Sequence, residues 1–238
     1  MKKQVRIVCA SLAAVLAAVL LGGCSQEDIQ KLAQAVNDAK ASAANASPYS
    51  IEEMRGSVEE QTYINTAAGI TVTFPDDYTV LGYEEIKDQY QEDIDEINAR
   101  ITDPKTAEVE ISQGIPRCIA VKQEAADSGD HSVFTVTVAD MMQPLPQDIV
   151  AFAALSTGVA GLIDKSNSYK KPVAAQVGGM DAAYYEVEAS YEGDVLLEKM
   201  YSIYPGNFFV TVTFVSRAER DLPDIEQVIG GIKVNPQA

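Results

Sequence analysis

The stretch 180-MDAAYYEVEASYEGDVLLEKMYSIYPGNFFVTVTFVS-216 decides the fold class. Three runs rich in Tyr, Val, Ile and Phe are separated by two sequences of turn-forming residues. Aromatic and β-branched residues favour strands, whereas Gly, Pro, Asn and Asp favour tight turns. The stretch therefore predicts an antiparallel meander, with strands at 184–190, 195–204 and 208–215 and turns at 191–194 and 205–207.

Shorter strand candidates lie upstream of the meander. In one of them Ile70, Val72 and Phe74 share a face, and the residues between them are threonines. Such alternation is typical of a strand with one buried face. The complete set of upstream strand candidates is 63–65, 69–74, 107–111, 119–123, 132–138 and 172–177.

Three segments have helical periodicity. Between Tyr83 and Ile101 apolar residues recur at spacings of three and four, and the intervening positions are mostly acidic, which predicts an amphipathic helix. A second helix is predicted to begin at Pro146, and a third to run from Asp221 to Val228 or Ile229. Antiparallel strands with helices between them indicate an α+β fold, an antiparallel β-sheet packed against helices.

The N-terminus has the pattern of an export signal. Lys2, Lys3 and Arg6 precede a run without charges, 7–21. As a helix that run reaches roughly 23 Å, which is short of the ~30 Å hydrocarbon core of a membrane. A basic start before a short apolar run is typical of a secretory signal peptide, here residues 1–23.

The end of this run, Leu21-Gly22-Gly23-Cys24, resembles the bacterial lipobox, in which the cysteine receives a diacylglyceryl group before the signal is removed. The resemblance implies lipidation at Cys24 and an exported protein, held by lipid on the cell membrane or the outer membrane. One acyl chain binds membranes marginally, whereas two or more anchor stably. The alternatives are a plain signal peptide or a membrane-anchoring helix in which Cys24 is incidental.

Behind the cysteine, residues 24–60 are dominated by small and polar side chains and predict a partly helical tether. The folded domain is predicted to begin near Gln61 and to occupy 61–238. The formal net charge is −17, and it becomes three units more negative when the signal is removed. Such a surface repels phosphate backbones, so nucleic acid is an unfavourable partner.

Side chains suited to catalysis or metal binding are scarce. His131 is the only histidine, and Cys118 is the only cysteine left outside the signal and lipobox. We interpret Cys118 as a small buried hydrophobe, and His131 as part of a loop. Loop carboxylates at Asp76, Asp77, Asp127, Asp130 and Asp194 lack the spacing of an EF-hand. The sequence predicts no catalytic residue, no metal site and no cofactor.

Six short segments between 63 and 234 form a recognisable series, namely Asn65 with 69–75, Leu145-Pro146-Gln147-Asp148, Val177-Gly178-Gly179-Met180-Asp181-Ala182, 203–210, 225–229 and 232–234. In order and spacing they resemble the PsbP/Mog1-like family, in particular its bacterial lipoprotein members. Two departures are Tyr78, where the family usually has Trp, and Gly230-Gly231, where serines are common.

That resemblance implies an α+β sandwich that acts as a binding or assembly module without catalysis, and it transfers no functional residue. The expected partner is an unidentified envelope protein or ligand, with the membrane bound through lipid on Cys24. Two alternatives stay open. One is an envelope hydrolase that uses paired carboxylates, and the other is a carrier of a small apolar ligand.

Overall fold

The computed structural model of the chain describes residues 48–122, 132–141, 148–154, 157, 167–191, 194–216 and 222–235. The predicted signal, Cys24, most of the predicted tether, His131, Asp127 and Asp130 lie outside these residues.

Twelve strands occur in the described part of the chain, and every pair is antiparallel. They are β1 (Ser57–Glu59), β2 (Thr62–Asn65), β3 (Ile70–Thr73), β4 (Tyr78–Gly82), β5 (Cys118–Lys122), β6 (Val133–Asp140), β7 (Ser168–Tyr169), β8 (Val173–Val177), β9 (Met180–Tyr191), β10 (Asp194–Ile203), β11 (Phe208–Ser216) and β12 (Lys233–Val234).

These strands form two sheets. The small sheet has the order β1-β2-β3-β12, and the large sheet has the order β4-β5-β6-β11-β10-β9-β7, with β8 also paired to β9. Helices complete the fold. They are α1 (Ile51–Arg55), α2 (Tyr83–Ile86), a 3₁₀ turn (Lys87–Tyr90), α3 (Gln91–Arg100), α4 (Pro104–Gly114), α5 (149–154) and α6 (Leu222–Gly231).

The large sheet is covered on both faces. Alternate residues of its strands, such as Phe134 and Val212, join residues of the small sheet and of α6 in the main core. The opposite positions of β9 and β10, such as Tyr185 and Met200, pack against Ile149 and Ala153 of α5. A third cluster joins α2, α3 and α4. The predicted α+β class, with an antiparallel sheet packed against helices, is confirmed.

One strand prediction is wrong, because 107–111 belongs to α4. Asp103 caps this helix, since its Oδ1 accepts a hydrogen bond from the Thr106 amide at 2.8 Å, and Pro104 occupies the first turn. Both features favour a helix start. The alternation of apolar residues with Glu108 and Glu110 suggested a strand with one wet face, but Glu108 is buried.

The folded region also starts earlier than predicted. Residues 51–59, assigned from the sequence to the tether, form α1 and β1. Ser50 and Glu53 form a capping box at the start of α1, and Met54 is buried. The sequence does not predict these elements, because it has few apolar residues there and the five-residue helix packs against the domain with one buried side chain.

The remaining element predictions agree with the structure within a few residues. The meander corresponds to β9, β10 and β11, and the helical turns from Tyr83 to Arg100 match the first amphipathic segment. The described part of the second helix begins at 149, where the Asp148 carboxylate accepts from the Ala151 amide at 2.9 Å and caps the helix; Pro146, its predicted first residue, lies outside the described residues. The third helix continues to Gly231.

The turn between β8 and β9 is seated on β12. Gly178 and Gly179 both have positive φ, at 58° and 82°. A Cβ on Gly178 would lie 2.6 Å from Val234 Cγ2 and 3.1 Å from the Ile232 oxygen, whereas one on Gly179 would meet nothing within 4 Å. Glycine at 178 therefore permits both the turn conformation and the close approach to β12.

We expect Gly178→Ala to lower the free energy of unfolding by about 2–3 kcal/mol, and Gly179→Ala by only about 1 kcal/mol. Both variants carry the cost of positive φ, but only the first brings a methyl group against β12. Urea unfolding of the two purified variants measures the difference. Equal losses would show that the contact with β12 contributes nothing.

Candidate binding surface

The lone thiol of the domain is part of the core. Cys118 is fully buried in the cluster between the sheets, and burial raises the pKa of its thiol. A thiol acts as a nucleophile only as the thiolate. The interpretation of Cys118 as a small buried hydrophobe is confirmed.

Two carboxylates converge at the N-terminal end of α6. Asp224 lies 2.6 Å from Lys122 Nζ and accepts from the Tyr78 hydroxyl at 3.0 Å, and Asp77 lies 3.5 Å from the same ammonium. The two acids are therefore counterions of one lysine. An acid–base pair for hydrolysis needs one proton donor and one base facing a substrate, and an ammonium between the carboxylates does not provide that arrangement.

The predicted acidic helix face is exposed. Glu84, Glu85, Glu92 and Glu96 face solvent along α2 and α3. Within the described ranges, no three His, Cys, Asp or Glu side chains are grouped closely enough to hold a metal ion. These carboxylates form an exposed acidic surface, on which Glu84 pairs with Arg55 and Lys87.

A buried ion cluster lies where α1, α4 and the start of β5 meet. Arg117 and Glu108 are 0% and 2% exposed, and Arg117 Nη2 lies 2.6 Å from Glu108 Oε1. Arg55, at the end of α1, donates to Glu108 Oε2 from Nε at 3.1 Å and from Nη2 at 2.8 Å. Both guanidinium groups also contact the ring of Tyr83, with that of Arg117 4.9 Å and that of Arg55 4.4 Å from the ring centre. The cluster fastens α1 to the domain.

Three of the four sheet edges are covered by other elements. At one corner β1 contacts β4, and Val58 faces Gly82 across the two edges. On the opposite side β12 lies against the turn at Gly178. The remaining edge is formed by β7 and β8, which pair with β9 and with no other strand in the described part of the chain. The side chains of Val173, Ala174 and Gln176 on β8 are exposed, and we call this the open edge.

Aromatic side chains adjoin this open edge. Val173 is 52% exposed and is the one large apolar side chain that is exposed in the described part of the chain. It pairs across the strands with Tyr184, which pairs with Tyr201, and the two tyrosine rings are 4.8 Å apart. Residues that pair directly lie on the same face of a sheet, so the three side chains form one continuous row.

A charged group lies beside this row. Glu186 accepts hydrogen bonds from Lys170 Nζ at 2.5 Å and from the Tyr184 hydroxyl, and Lys199 Nζ is 3.9 Å away. The hydrogen bonds from Lys170 and Tyr184 hold the pKa of Glu186 below its usual value, so this carboxylate is ionised at neutral pH. We call Val173, Tyr184, Glu186, Lys199 and Tyr201 together the edge surface.

The other face of β10 holds a carboxylate of different character. Glu198 makes no hydrogen bond or ion pair with any residue that the structure describes, and burial raises its pKa to about 6. Between pH 4.5 and 6, Glu198 therefore holds a proton in the folded protein that it has already released in the unfolded chain. Consequently, the free energy of unfolding falls as pH rises through this interval.

We expect Glu198→Gln to stabilise the protein by about 1–2 kcal/mol at pH 7.5 and to have little effect at pH 4, where the glutamate is already neutral. Guanidinium unfolding at both pH values measures the change. Exposed Glu188→Gln is the matched control and should change stability at neither pH. A gain of equal size at pH 4 would contradict the explanation by charge.

No helix in the described ranges has both the length and the apolar character needed to cross a membrane. No family model and no curated protein sequence matches the chain.

In fold the chain resembles several solved structures. LpqN, involved in cell envelope biogenesis of Mycobacterium tuberculosis, has a TM-score of 0.41 and 13% identity, over 70% of this chain and 83% of LpqN. A PsbP of Synechocystis sp. PCC 6803 has a TM-score of 0.44 and 10% identity, over 74% of this chain and 92% of that protein. The immunity protein TplEi of Pseudomonas aeruginosa has a TM-score of 0.36 and 8% identity, over 71% of this chain and 96% of TplEi. A PsbP, the group that the sequence motifs resemble, is thus among them, and no residue role passes from these structures to the chain.

Proposed function

We propose that this chain is a lipid-anchored protein of the cell envelope whose folded domain binds a partner protein through the edge surface, without catalysis of its own. The observation that carries the proposal is the row formed by Val173, Tyr184 and Tyr201 on the open edge of the large sheet. Tyrosines that present an apolar ring and a polar tip are enriched in protein interfaces.

The N-terminal sequence supports this location. Leu21-Gly22-Gly23-Cys24 resembles a lipobox, and the residues from Cys24 to Pro48 would separate its lipid from the described domain. The acidic domain repels anionic headgroups, so lipid on Cys24 supplies the attachment. A partner within the same envelope then needs only a modest intrinsic affinity, because confinement to one surface raises the effective concentration.

We expect Cys24→Ser to carry no lipid and to leave the membrane once residues 1–23 are removed, since each acyl CH₂ contributes ~0.8 kcal/mol of membrane affinity and the variant has none. Fractionation followed by intact-mass measurement tests this, with Cys118→Ser as the control for losing a thiol elsewhere. The wild-type protein should start at Cys24 and carry the mass of its lipid. Membrane retention of a Cys24→Ser chain that has lost residues 1–23, or a wild-type chain that still holds them, would contradict the anchor.

Site-specific photocrosslinking in intact cells tests partner binding. A photoreactive residue is placed at Val173 in the edge surface, or at Ala99, an exposed residue of α3, as the matched control. We expect one dominant adduct from position 173 and none of that mass from position 99. The same mixture of abundant proteins from both positions would refute the proposed function.

A further inference from the structure

We propose that the partner binds by adding an extended β-strand to the open edge of β8. This inference rests on the proposed function and deepens it, because it specifies which atoms the partner meets. A sheet edge presents a row of unpaired N–H and C=O groups, and an extended peptide segment satisfies them.

The hairpin geometry shows which groups these are. Val177 pairs with Met180 across a two-residue turn, and both turn glycines have positive φ, as in a type I′ hairpin. The residues that flank such a turn exchange hydrogen bonds with each other, and the pattern alternates along the strand. Val173, Ala175 and Val177 therefore bond to β9, and the N–H and C=O groups of Ala174 and Gln176 point outward.

A bulge sets the length of the available edge. Tyr169 pairs with Val187, but Val173 pairs with Tyr184, so the connecting residues contain one more residue than the facing part of β9. Pro172 lies in this bulge and has no N–H to donate. An added strand therefore pairs only with the five residues of β8, which suits a short segment of a partner and not a long sheet.

The side chains around β8 indicate the chemistry of that segment. The residues of the partner segment that lie next to Val173 face the apolar end of the row formed with Tyr184 and Tyr201, and should be apolar. At the same end Lys171 is exposed and has no ion pair with any described residue, so a carboxylate of the segment can pair with it. The expected segment alternates apolar and polar residues and carries one acid at the Lys171 end.

The added strand is expected to come from a different protein, because the net negative charge of this chain disfavours a second copy of it. The full chain has a net charge of −17 and the mature chain is three units more negative, so edge-to-edge pairing would bring two strongly acidic domains together. Self-repulsion of this kind keeps proteins monomeric. A second copy at β8 is one of the outcomes that the test distinguishes.

Synthetic peptides test the inference with the whole mature chain. The probes are two seven-residue peptides of alternating valine and threonine, with one glutamate at either the carboxyl or the amino end for antiparallel or parallel addition. Controls replace the glutamate by lysine, or carry N-methyl groups along one peptide edge, which block strand pairing. We expect one glutamate peptide to bind, with new protection of the Ala174 and Gln176 amides in hydrogen exchange, and the N-methylated peptide not to bind.

Protein variants complete the design. Gln176→Pro removes an outward N–H while leaving the bonds to β9, so we expect about tenfold weaker peptide binding. Gln176→Ala removes only the side chain and should bind normally. Hydrogen exchange of β10 amides checks that both variants are folded.

Unchanged binding in Gln176→Pro, or no binding of either glutamate peptide at millimolar concentration, would overturn strand addition. A dimer of the mature chain that Gln176→Pro dissociates would overturn it as well, because the occupant would then be a second copy. The Val173 crosslink separates the two proposals. If that crosslink persists in cells that carry Gln176→Pro, partner binding stands and strand addition fails. If the crosslink from position 173 is absent even without Gln176→Pro, the proposed function is refuted.

Discussion

Glu108→Gln is expected to lower the free energy of unfolding by about 3–5 kcal/mol, because it leaves the buried Arg117 guanidinium without its counterion. Arg117 is 0% exposed, and its Nη2 lies 2.6 Å from Glu108. Its Nε and Nη1 have no hydrogen-bond partner in the described part of the chain, so no other group there replaces the lost carboxylate. Removing one partner of a buried pair costs more than removing both.

Two control variants separate this effect from simple loss of contacts. Glu84→Gln removes an exposed carboxylate that also binds Arg55, and should change stability by no more than about 0.5 kcal/mol. The pair Glu108→Leu with Arg117→Met removes both buried charges and should recover most of the loss. Urea unfolding at pH 7 measures all of them. A loss in Glu108→Gln no larger than in Glu84→Gln would show that Arg117 does not depend on Glu108.

Glu108 also explains why the sequence pattern predicts a strand where α4 lies. An alternating pattern predicts a strand only when its polar members face solvent, and one of the partners that bury Glu108 is distant in sequence. Arg55 is 53 residues away. The local signals for a helix, Asp103 as the cap and Pro104 behind it, were present in the sequence and are the better guide here.

Strands with regular alternation could be predicted because each carries its own signal. Phe134, Val136 and Val138 of β6 alternate with small or polar residues, and all three are buried. The short strands β1, β7 and β12, which have two or three residues each, show no such period. They form because neighbouring strands supply hydrogen-bond partners, which is information from elsewhere in the chain.

The edge surface could be predicted only in part. The sequence predicts a strand at 172–177. Whether that strand lies at an edge, however, depends on the order of all strands in the sheet. The row of Val173, Tyr184 and Tyr201 is likewise a product of register between three strands. Lipidation at Cys24, in contrast, is a prediction from a local motif, and it stays a prediction because that residue lies outside the described part of the chain.

Phe134→Ala is expected to lower the free energy of unfolding by about 3–5 kcal/mol, because this ring joins the two sheets. Phe134 is fully buried on β6, and its ring centre lies 4.8 Å from that of Phe214 on β11 and 5.4 Å from that of Tyr78 on β4. Phe74, directly after β3 of the small sheet, is 5.8 Å away. Its removal would therefore leave a cavity with walls from both sheets, which cannot close without moving one sheet against the other.

The size of the replacement tests this reason. Phe134→Leu refills most of the volume and should cost clearly less than Phe134→Ala, because the destabilisation grows with the cavity that remains. Phe209→Ala, on the opposite face of the large sheet and only half-buried, controls for losing a ring from the same sheet. Guanidinium unfolding measures the three free energies of unfolding, which can be compared when all variants have the same slope of free energy against denaturant concentration. If Phe134→Ala lost no more than Phe209→Ala, the aromatic contacts between the sheets would not be what holds the sandwich together.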